Sequence, residues 1–289
     1  MTNKNTHKIH IVEVGPRDGL QNEKTKIPTS VKVAFVNALS HSGLSEIETS
    51  AFVSPQWVPQ LSDAVDVFSE ITRNPSVLYS ALVPNMQGLE MAQKAHVKKI
   101  AVFTSATDSF NRHNINTDIE GSFARIAPVI EKAKASGMQV RGYVSVAFWC
   151  PYEGRVMPER VVPVAERLRS LGCDEISIGD TIGKAIPEDV DVLLNHLLAV
   201  MPVQTLALHF HDTFGNALTN VMRGFERGVT IFDTSVGGLG GCPYAPSARG
   251  NVATEQVVAW AQSKNISCDV NISVLHEASA LLKPYLPKR

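Results

Sequence analysis

The chain has 289 residues, of which 44% are hydrophobic, and its formal net charge is −1. This composition is typical of a globular protein with a large core, and it argues against a nucleic-acid or membrane-surface partner. No apolar run is long and uncharged enough to span a bilayer, and the polar residues 1–8 predict a disordered tail without a secretion signal. The cysteines, at positions 150, 173, 242 and 268, are too scattered for a disulfide framework, so a cytoplasmic location is expected.

Short β-rich segments alternate with segments of helical periodicity along the chain. The predicted strands are residues 9–14, 46–51, 77–83, 99–104, 139–147, 175–178, 206–211 and 230–236. Helical patterns include 31–39 and 123–135, the second followed by Gly137 as a C-cap, and two last helices are predicted around 254–262 and 273–282. Eight such units predict an α/β fold, a (β/α)8 TIM barrel formed as one catalytic domain by residues 9–289.

An open doubly wound sheet is the main alternative to the barrel. That fold carries a Gly-x-Gly-x-x-Gly phosphate loop after its first strand. Here the first strand is followed by Gly15-Pro16-Arg17-Asp18-Gly19, which does not match that loop. The barrel is therefore the preferred interpretation.

The most informative motif lies on the seventh predicted strand, where His209 and His211 flank Phe210. Successive side chains of a strand point to opposite faces, so the two imidazoles share a face and can bind one divalent metal. For the pair alone, two histidines on a polar rim are an equally good interpretation. The metal site is favoured because other metal-binding residues follow neighbouring strands, and in a barrel those positions meet at one end.

Asp18 follows the first predicted strand and Asn251 follows the eighth. With the histidines they would form a carboxylate, imidazole and amide site that suits Mg²⁺ or Mn²⁺, although zinc accepts the same donors. Taken alone, Asp18 would be a turn-capping carboxylate before a glycine, and Asn251 an ordinary loop or helix-cap residue.

Four further residues belong to the same end of the barrel. Arg17 is a permanent cation that could stabilise an enolate or thioester oxygen, or form a structural salt bridge. Glu48 and Asp180 lie on strands that should be apolar, and we expect them to support Arg17 or a metal-binding histidine. Cys242 lies in a glycine-rich loop that could bring a thiol to a substrate, whereas most lone cysteines are small buried hydrophobes.

These residues fall in segments that resemble the 3-hydroxy-3-methylglutaryl-CoA (HMG-CoA) lyases, from about residue 9 to residue 280. The resembling segments are Val12-Glu13-Val14-Gly15-Pro16-Arg17-Asp18-Gly19-Leu20-Gln21-Asn22-Glu23, Phe52-Val53-Ser54-Pro55, Trp57-Val58-Pro59-Gln60, Arg141-Gly142-Tyr143-Val144-Ser145, Cys150-Pro151-Tyr152-Glu153-Gly154, His209-Phe210-His211-Asp212 and Gly238-Leu239-Gly240-Gly241-Cys242-Pro243-Tyr244-Ala245. Each segment is moderately specific, and their common order makes the set highly specific.

The resemblance implies a metal-dependent carbon–carbon lyase that cleaves HMG-CoA to acetyl-CoA and acetoacetate, in leucine degradation, as a homodimer. It implies that Mg²⁺ or Mn²⁺ is held by Asp18, His209, His211 and Asn251. It also implies catalytic roles in holding the thioester oxygen and in proton transfer for Arg17, Cys242, His209, Glu48 and Asp180. The acyl-CoA substrate would be bound by Arg17, Gln21, Lys24 and Arg141.

Several positions depart from the family pattern, namely Ala51, Phe148-Trp149, Lys184-Ala185 and Arg249. They leave the metal ligands intact but could change the acyl pocket, so a lyase for a related branched 3-hydroxyacyl-CoA is one alternative. An isopropylmalate-synthase-like enzyme shares the Arg-Asp-Gly opening and the His-x-His strand, but Cys242 and the lack of a further C-terminal region favour the lyase. A non-catalytic barrel would be expected to have lost a ligand or the thiol.

Overall fold

The computed structural model describes residues 8–241 and 250–287. Its eight parallel strands close into a barrel in the order β1-β8-β7-β6-β5-β4-β3-β2, which confirms the predicted single-domain TIM barrel. Each predicted strand overlaps an observed one. The strands are β1 His10–Glu13, β2 Glu46–Ala51, β3 Leu78–Leu82, β4 Lys99–Ser105, β5 Gln139–Ser145, β6 Glu175–Asp180, β7 Leu206–Phe210 and β8 Ile231–Thr234.

Helices surround the barrel, and the four helical patterns recognised in the sequence all fall on observed helices. Gly137 has a φ of +73° just beyond the end of α5, as predicted for a helix C-cap. The helices in the described residues are α1 Thr29–Leu39, α2 Ala64–Glu70, α3 Met86–Lys94, α4 Asp108–Ile115, α5 Ile119–Ala135, α6 Pro158–Ser170, α7 Pro187–Val200, α8 Ala217–Glu226, α9 Thr254–Ser263 and α10 Ile272–Ala280.

The strands are buried on both faces, but the two faces differ in chemistry. Residues that point outward pack in the main apolar core with the helices, for example Ile47, Ile100 and Leu208. The alternate residues point into the barrel and include charged groups such as Glu48 and Arg141, both almost fully buried. TIM-barrel interiors are usually filled by branched apolar side chains, so the buried charges inside this barrel are unusual.

One local irregularity affects the direction of side chains near the end of β2. The pairing of β2 with β3 shifts register between Glu48 and Ser50, and bulges of this kind re-aim side chains beside active sites.

At the other end of the barrel, Lys8, which was predicted to belong to the tail, forms a β-bridge with Ser267 and an ion pair with Asp269. Residues 1–7 lie outside the described residues, so a disordered tail stays a prediction. No helix in the described part of the chain has the length and apolar character needed to cross a membrane.

Candidate metal centre and active site

Three potential metal ligands meet where β1 and β7 end. His209 belongs to β7 and His211 follows its last residue, and their ring centroids are 5.1 Å apart. Asp18 approaches from the turn after β1, with its Oδ2 atom 3.8 Å from Nε2 of His211. One ligand atom from each of these residues lies within 4.8 Å of the others. The strand periodicity therefore predicted the grouping correctly, and the three side chains can reach one cation.

Asp18 lies in a π-helical turn, Gly15–Gly19, which is anchored by the buried carboxylate of Glu13. The carboxylate accepts hydrogen bonds from the N–H of Gly15 at 2.8 Å, the N–H of Val236 at 2.9 Å and the hydroxyl of Thr254 at 2.6 Å. Burial raises the pKa of Glu13 to about 8, against the effect of these hydrogen bonds. π-helical turns often occur at functional sites. Glu13 belongs to the motif of residues 12–23, but no role for it is predicted from the sequence.

Asn251 lies beside His211 because the chain there runs antiparallel to the end of β7. Its Nδ2 atom donates to Asp18 Oδ2 at 2.8 Å and to the carbonyl oxygen of Leu239 at 3.1 Å. Its buried Oδ1 atom accepts no hydrogen bond from any group that the structure describes. Gly240, with a φ of +112°, permits this close approach, because a Cβ there would lie 2.9 Å from Asn251 Nδ2.

These four residues fit a divalent cation. They offer one carboxylate, two imidazoles and an amide oxygen without a partner among the described groups, and buried oxygens of that kind call for an explanation such as an ion. Although burial opposes ionisation, the charge of Arg17 and the two histidines hold the pKa of Asp18 well below its ordinary value. Asp18 therefore presents the carboxylate form that a metal requires.

Arg17 is held between two carboxylates beside this donor set. Its Nε and Nη2 atoms each lie 2.6 Å from Oε2 of Glu48, and its Nη1 atom donates to Asp18 Oδ1 at 2.7 Å. Tyr143 donates to the same Glu48 oxygen at 3.3 Å, and its ring centroid lies 5.5 Å from the Arg17 guanidinium carbon. The predicted support of Arg17 by Glu48 is thus present, and the guanidinium is fixed in orientation.

Asp233, on β8, is a residue of this site that sequence analysis missed. Its Oδ2 atom lies 3.2 Å from His209 Nδ1 and accepts the Ser177 hydroxyl at 2.9 Å. Its Oδ1 atom accepts from Arg141 Nη2 at 2.6 Å. Burial favours the neutral form of Asp233, but the charge of Arg141 and the contact with His209 outweigh burial and lower the pKa of this carboxyl group. A carboxylate in an otherwise apolar strand, the criterion that selected Glu48 and Asp180, would have found it.

Two predicted substrate or catalytic residues lie away from the cavity beside the metal centre. Arg141 is buried inside the barrel between Asp233 and Glu175, where it can contact neighbouring carboxylates but does not line the cavity. Asp180 accepts hydrogen bonds from the N–H groups of Lys184 at 3.1 Å and Ala185 at 2.9 Å, so it holds the loop after β6. Burial raises the pKa of Asp180 to about 6.

The other predicted contacts differ in position. Gln21 lines the cavity and its Nε2 atom lies 3.4 Å from Asp18 Oδ1, whereas Lys24 is exposed and is not among the lining residues. Cys242 and Arg249 lie outside the described residues, although Gly241, which precedes the cysteine, lines the cavity. The Lys184 ammonium lies 4.0 Å from the ring centroid of Trp149, and neither residue belongs to the described lining.

The metal centre lies in a cavity of about 710 Å³. One side of the cavity is polar and includes Asp18, Arg17 and the two histidines. The opposite wall is apolar and comes from the ends of β2, β3 and β4, with Ala51, Leu82 and Phe103. Other lining residues include Trp57, whose side chain is 82% exposed, His113, Asn114 and Arg125. Such a cavity can take a ligand with a polar end and an apolar branch.

Comparison with known proteins agrees with this architecture. The HMGL-like family model matches residues 8–282, which is almost the whole described chain. The chain belongs to the HMGL-like family. The family resemblance and the barrel predicted from the sequence are both confirmed.

Relatives of this HMGL-like chain include two rat proteins. It is 47% identical over 270 residues to the cytoplasmic 3-hydroxy-3-methylglutaryl-CoA lyase of Rattus norvegicus, covering 93% of this chain and 79% of that protein. It is 48% identical over 271 residues to the mitochondrial hydroxymethylglutaryl-CoA lyase of the same species, covering 94% of this chain and 83% of that protein.

Solved structures extend the likeness to the whole barrel. The HMG-CoA lyase of Brucella melitensis superposes with a TM-score of 0.94 at 47% identity, covering 96% of this chain and 98% of that one. An HMG-CoA lyase of Acinetobacter baumannii in complex with coenzyme A and 3-methylmalate gives a TM-score of 0.92 at 36% identity, covering 100% and 95%. The carboxyl transferase domain of Rhizobium etli pyruvate carboxylase, at 16% identity and a TM-score of 0.74, shares the fold alone.

Proposed function

We propose that this protein is a divalent-metal-dependent lyase that cleaves HMG-CoA to acetyl-CoA and acetoacetate. The observation that carries the proposal is the donor set of Asp18, His209, His211 and Asn251 beside the Arg17 guanidinium, inside one cavity. Membership of the HMGL-like family and the similarity to HMG-CoA lyases over nearly the whole chain support the same reaction.

The reaction separates the bond between C2 and C3 of the substrate. When bound, a divalent cation would polarise the tertiary hydroxyl and a carboxylate oxygen. Loss of the hydroxyl proton forms the new ketone of acetoacetate while the electron pair of the C2–C3 bond passes to the thioester, whose carbonyl becomes an enolate. A proton added at C2 then gives acetyl-CoA. Arg17 holds the oxygen that gains negative charge, and its bonds to Glu48 and Asp18 keep it from reorienting.

Two protons must be moved in this sequence. Glu48 takes part in acid–base work next to Arg17, and it keeps one buried oxygen without a hydrogen bond among the described groups. His209 contributes to the proton transfer by holding the cation beside the hydroxyl that loses its proton. Cys242 returns the proton to the enolate carbon, a role supported by the lining position of its neighbour Gly241. Asp180 acts indirectly, since the loop it holds includes Thr181 of the cavity lining.

The substrate is an acyl-CoA thioester, and its short acyl group spans both sides of the cavity. Gln21 contacts the polar end, and the apolar wall receives the methyl branch. Lys24, which is exposed, is proposed to contact the outer part of the substrate, whereas burial of Arg141 favours support over direct contact.

A lyase for a related branched 3-hydroxyacyl-CoA is the second candidate. One observation favours it: Ala51, which departs from the family pattern, belongs to the apolar wall of the cavity. The departures Trp149 and Lys184 contact each other instead and leave the described lining unchanged.

Three finer properties remain predictions: Mg²⁺ or Mn²⁺ as the ion, a homodimer, and a cytoplasmic location. The mixed oxygen and nitrogen donor set supports the first. The relatives include both a cytoplasmic and several mitochondrial lyases, so they support the reaction more strongly than the location.

The test is release of acetoacetate from HMG-CoA by purified protein with Mg²⁺, with Mn²⁺ and with EDTA. We expect metal-dependent turnover that falls by orders of magnitude in Cys242→Ala. Cys268→Ala is the matched control, because that half-buried thiol lies beside Lys8 at the opposite end of the barrel. Bound metal without turnover of HMG-CoA would contradict the proposal. Turnover of a longer-branched analogue would then favour the second candidate, and condensation of acetyl-CoA with a 2-oxo acid would favour an isopropylmalate-synthase-like enzyme.

A further inference from the structure

We propose that Asp233 is a positioning residue that fixes His209 in the tautomer with the proton on Nδ1, leaving the Nε2 lone pair for the cation. The inference rests on the metal site of the proposed function and assigns a role to a residue outside the ligand set. Asp233 is not among the described residues that line the cavity of the metal site, so it acts through His209.

The hydrogen bonds of Asp233 define the tautomer. Both of its oxygens are occupied: Oδ1 by Arg141 Nη2 at 2.6 Å, and Oδ2 by the Ser177 hydroxyl at 2.9 Å and His209 Nδ1 at 3.2 Å. Arg141 donates only, and an ionised carboxylate accepts only. The proton shared between Asp233 and His209 therefore comes from Nδ1 of the imidazole. In the neutral ring, which is the form that binds a metal, Nε2 is then the nitrogen with a lone pair.

The carboxylate of Asp233 is held by a chain of buried charges inside the barrel. Lys99 lies 2.9 Å from Glu46 and 3.3 Å from Glu175, and Glu175 lies 2.9 Å from Nε of Arg141. Arg141 completes the chain at Asp233. This series of ion pairs thus extends from the amino-terminal ends of β2, β4 and β6 to the metal centre.

Burying this series of ion pairs costs desolvation free energy, and the charges it contains indicate a role at the metal site. Replacing buried ion pairs by apolar side chains is often neutral or stabilising, so fold stability alone gives little reason for charges here. Two cations, Lys99 and Arg141, face three carboxylates, and the carboxylate that ends the chain is the one that faces His209. The arrangement supplies negative charge and a fixed acceptor to the histidine that we assign to the cation.

Metal affinity is the first readout, measured by titrating Mn²⁺ into the full-length protein and following free Mn²⁺ by electron paramagnetic resonance. Asp233→Asn keeps the shape but can donate to Nδ1, which permits the opposite tautomer. We expect Asp233→Asn to bind Mn²⁺ about 10- to 100-fold more weakly, as for other residues that orient metal ligands. Ser177→Ala, which removes one donor to the same oxygen, should weaken binding only a few-fold. Unchanged affinity in a folded Asp233→Asn would overturn the inference.

Asp63→Asn is the matched control for general loss of a carboxylate that pairs with a buried cation. Asp63 pairs with the buried Lys32 at 2.8 Å on the helical layer, outside the barrel. This variant should lower the melting temperature and leave Mn²⁺ affinity unchanged. An equal loss of Mn²⁺ affinity in Asp63→Asn and Asp233→Asn would show a merely structural role and overturn the inference.

The second readout needs no folded variant of Asp233. Two-bond ¹H–¹⁵N spectra of protein labelled at histidine report which ring nitrogen carries the proton, and the His209 signals are those missing in His209→Gln. In the neutral ring we expect the Nδ1-protonated tautomer in the wild type; a neutral ring with its proton on Nε2 would overturn the inference. Failure of the wild type to bind Mn²⁺ would instead contradict the proposed function, and the tautomer would still decide the positioning role.

Discussion

The two sides of the cavity are built from the same kind of strand end but have opposite chemistry. At β2, β3 and β4 the inward side chains near the carboxyl ends are apolar, as at Ala51 and Leu82. At β7 the corresponding position carries His209, which Asp233 of β8 contacts from below the cavity, and the π-helical turn after β1 adds Asp18. Both sides have the same strand geometry, so the function depends on which of the inward-facing residues are polar.

This difference explains why the polar side is so heavily hydrogen-bonded. An apolar wall needs only shape, whereas each buried charge needs a partner to offset desolvation. Arg17 accordingly contacts both Glu48 and Asp18, and Asp233 has three donors around it. The polar side should therefore respond to substitution in catalysis and the apolar wall in specificity.

Removal of one metal ligand should give the largest effect. His211→Ala leaves Arg17 and its carboxylates in place but takes one imidazole from the donor set. Because a bound metal supplies several kcal/mol of charge stabilisation, we expect kcat to fall by about 10³-fold or more. Mn²⁺ affinity should fall as well. Wild-type kcat and Mn²⁺ affinity in this variant would show that His211 is not a metal ligand.

Arg17→Lys should give the next largest effect. Lysine keeps the charge but not the fork that reaches Glu48 and Asp18 together, so the thioester oxygen loses a fixed donor. We expect kcat to fall by about 10²- to 10³-fold, with Mn²⁺ affinity changed only a few-fold. The control is Arg73→Lys, since that guanidinium donates to the carbonyl oxygens of Ala95 and His96 and does not line the cavity. Equal losses of kcat in both variants would contradict the role of Arg17.

Leu82→Ala tests the apolar wall. The shorter side chain should admit a longer acyl branch, so kcat/KM for HMG-CoA should fall about tenfold relative to an ethyl-branched analogue, consistent with about 1–3 kcal/mol per methylene. Leu61→Ala is the matched control, because Leu61 belongs to the same buried cluster but does not line the cavity. Both variants should lose about 2–5 kcal/mol of stability. A change of preference in both, or in neither, would show that the wall does not select the branch.

The sequence predicted the elements well because periodicity and glycine positions are local signals. The strand pattern found all eight strands, and the pleat alone brought His209 and His211 to one face. The strand pattern could not predict how far from the cavity an inward-facing side chain lies along the barrel axis. The family resemblance implies that Arg141 binds substrate, but its side chain is buried against Asp233, on a strand far along the chain, and does not line the cavity.

Long-range partners explain the other differences. Glu13 and Asp233 read as single polar residues within apolar strands, and their partners Thr254 and Arg141 are 241 and 92 positions away. No local pattern links such pairs. Asp180 is expected to support Arg17 or a histidine. Its carboxylate accepts hydrogen bonds from backbone N–H groups of its own loop, and the charges of His211 and His209 act on its pKa only as weaker influences than burial. Those bonds depend on the path of the loop, which the strand pattern does not determine.

Glu13 marks the outer limit of the polar side, and its substitution should have the smallest effect on catalysis and the greatest effect on the pH dependence of stability. Its pKa is about 8 in the folded protein against 4.5 ordinarily, so folding favours the protonated form. The stabilisation is complete below about pH 4.5 and is lost as pH rises through about 8, with a slope of up to about 1.4 kcal/mol per pH unit.

Glu13→Gln removes this titration while keeping an acceptor for the N–H groups of Gly15 and Val236. In urea unfolding between pH 5 and pH 8, the wild type should lose stability relative to the variant, whose own curve should be flatter. Parallel curves would mean that Glu13 does not titrate in this range. The π-helical turn that carries Asp18 would then depend on the geometry of the Glu13 carboxylate and not on its proton, which would restrict the charge-sensitive region to the barrel interior.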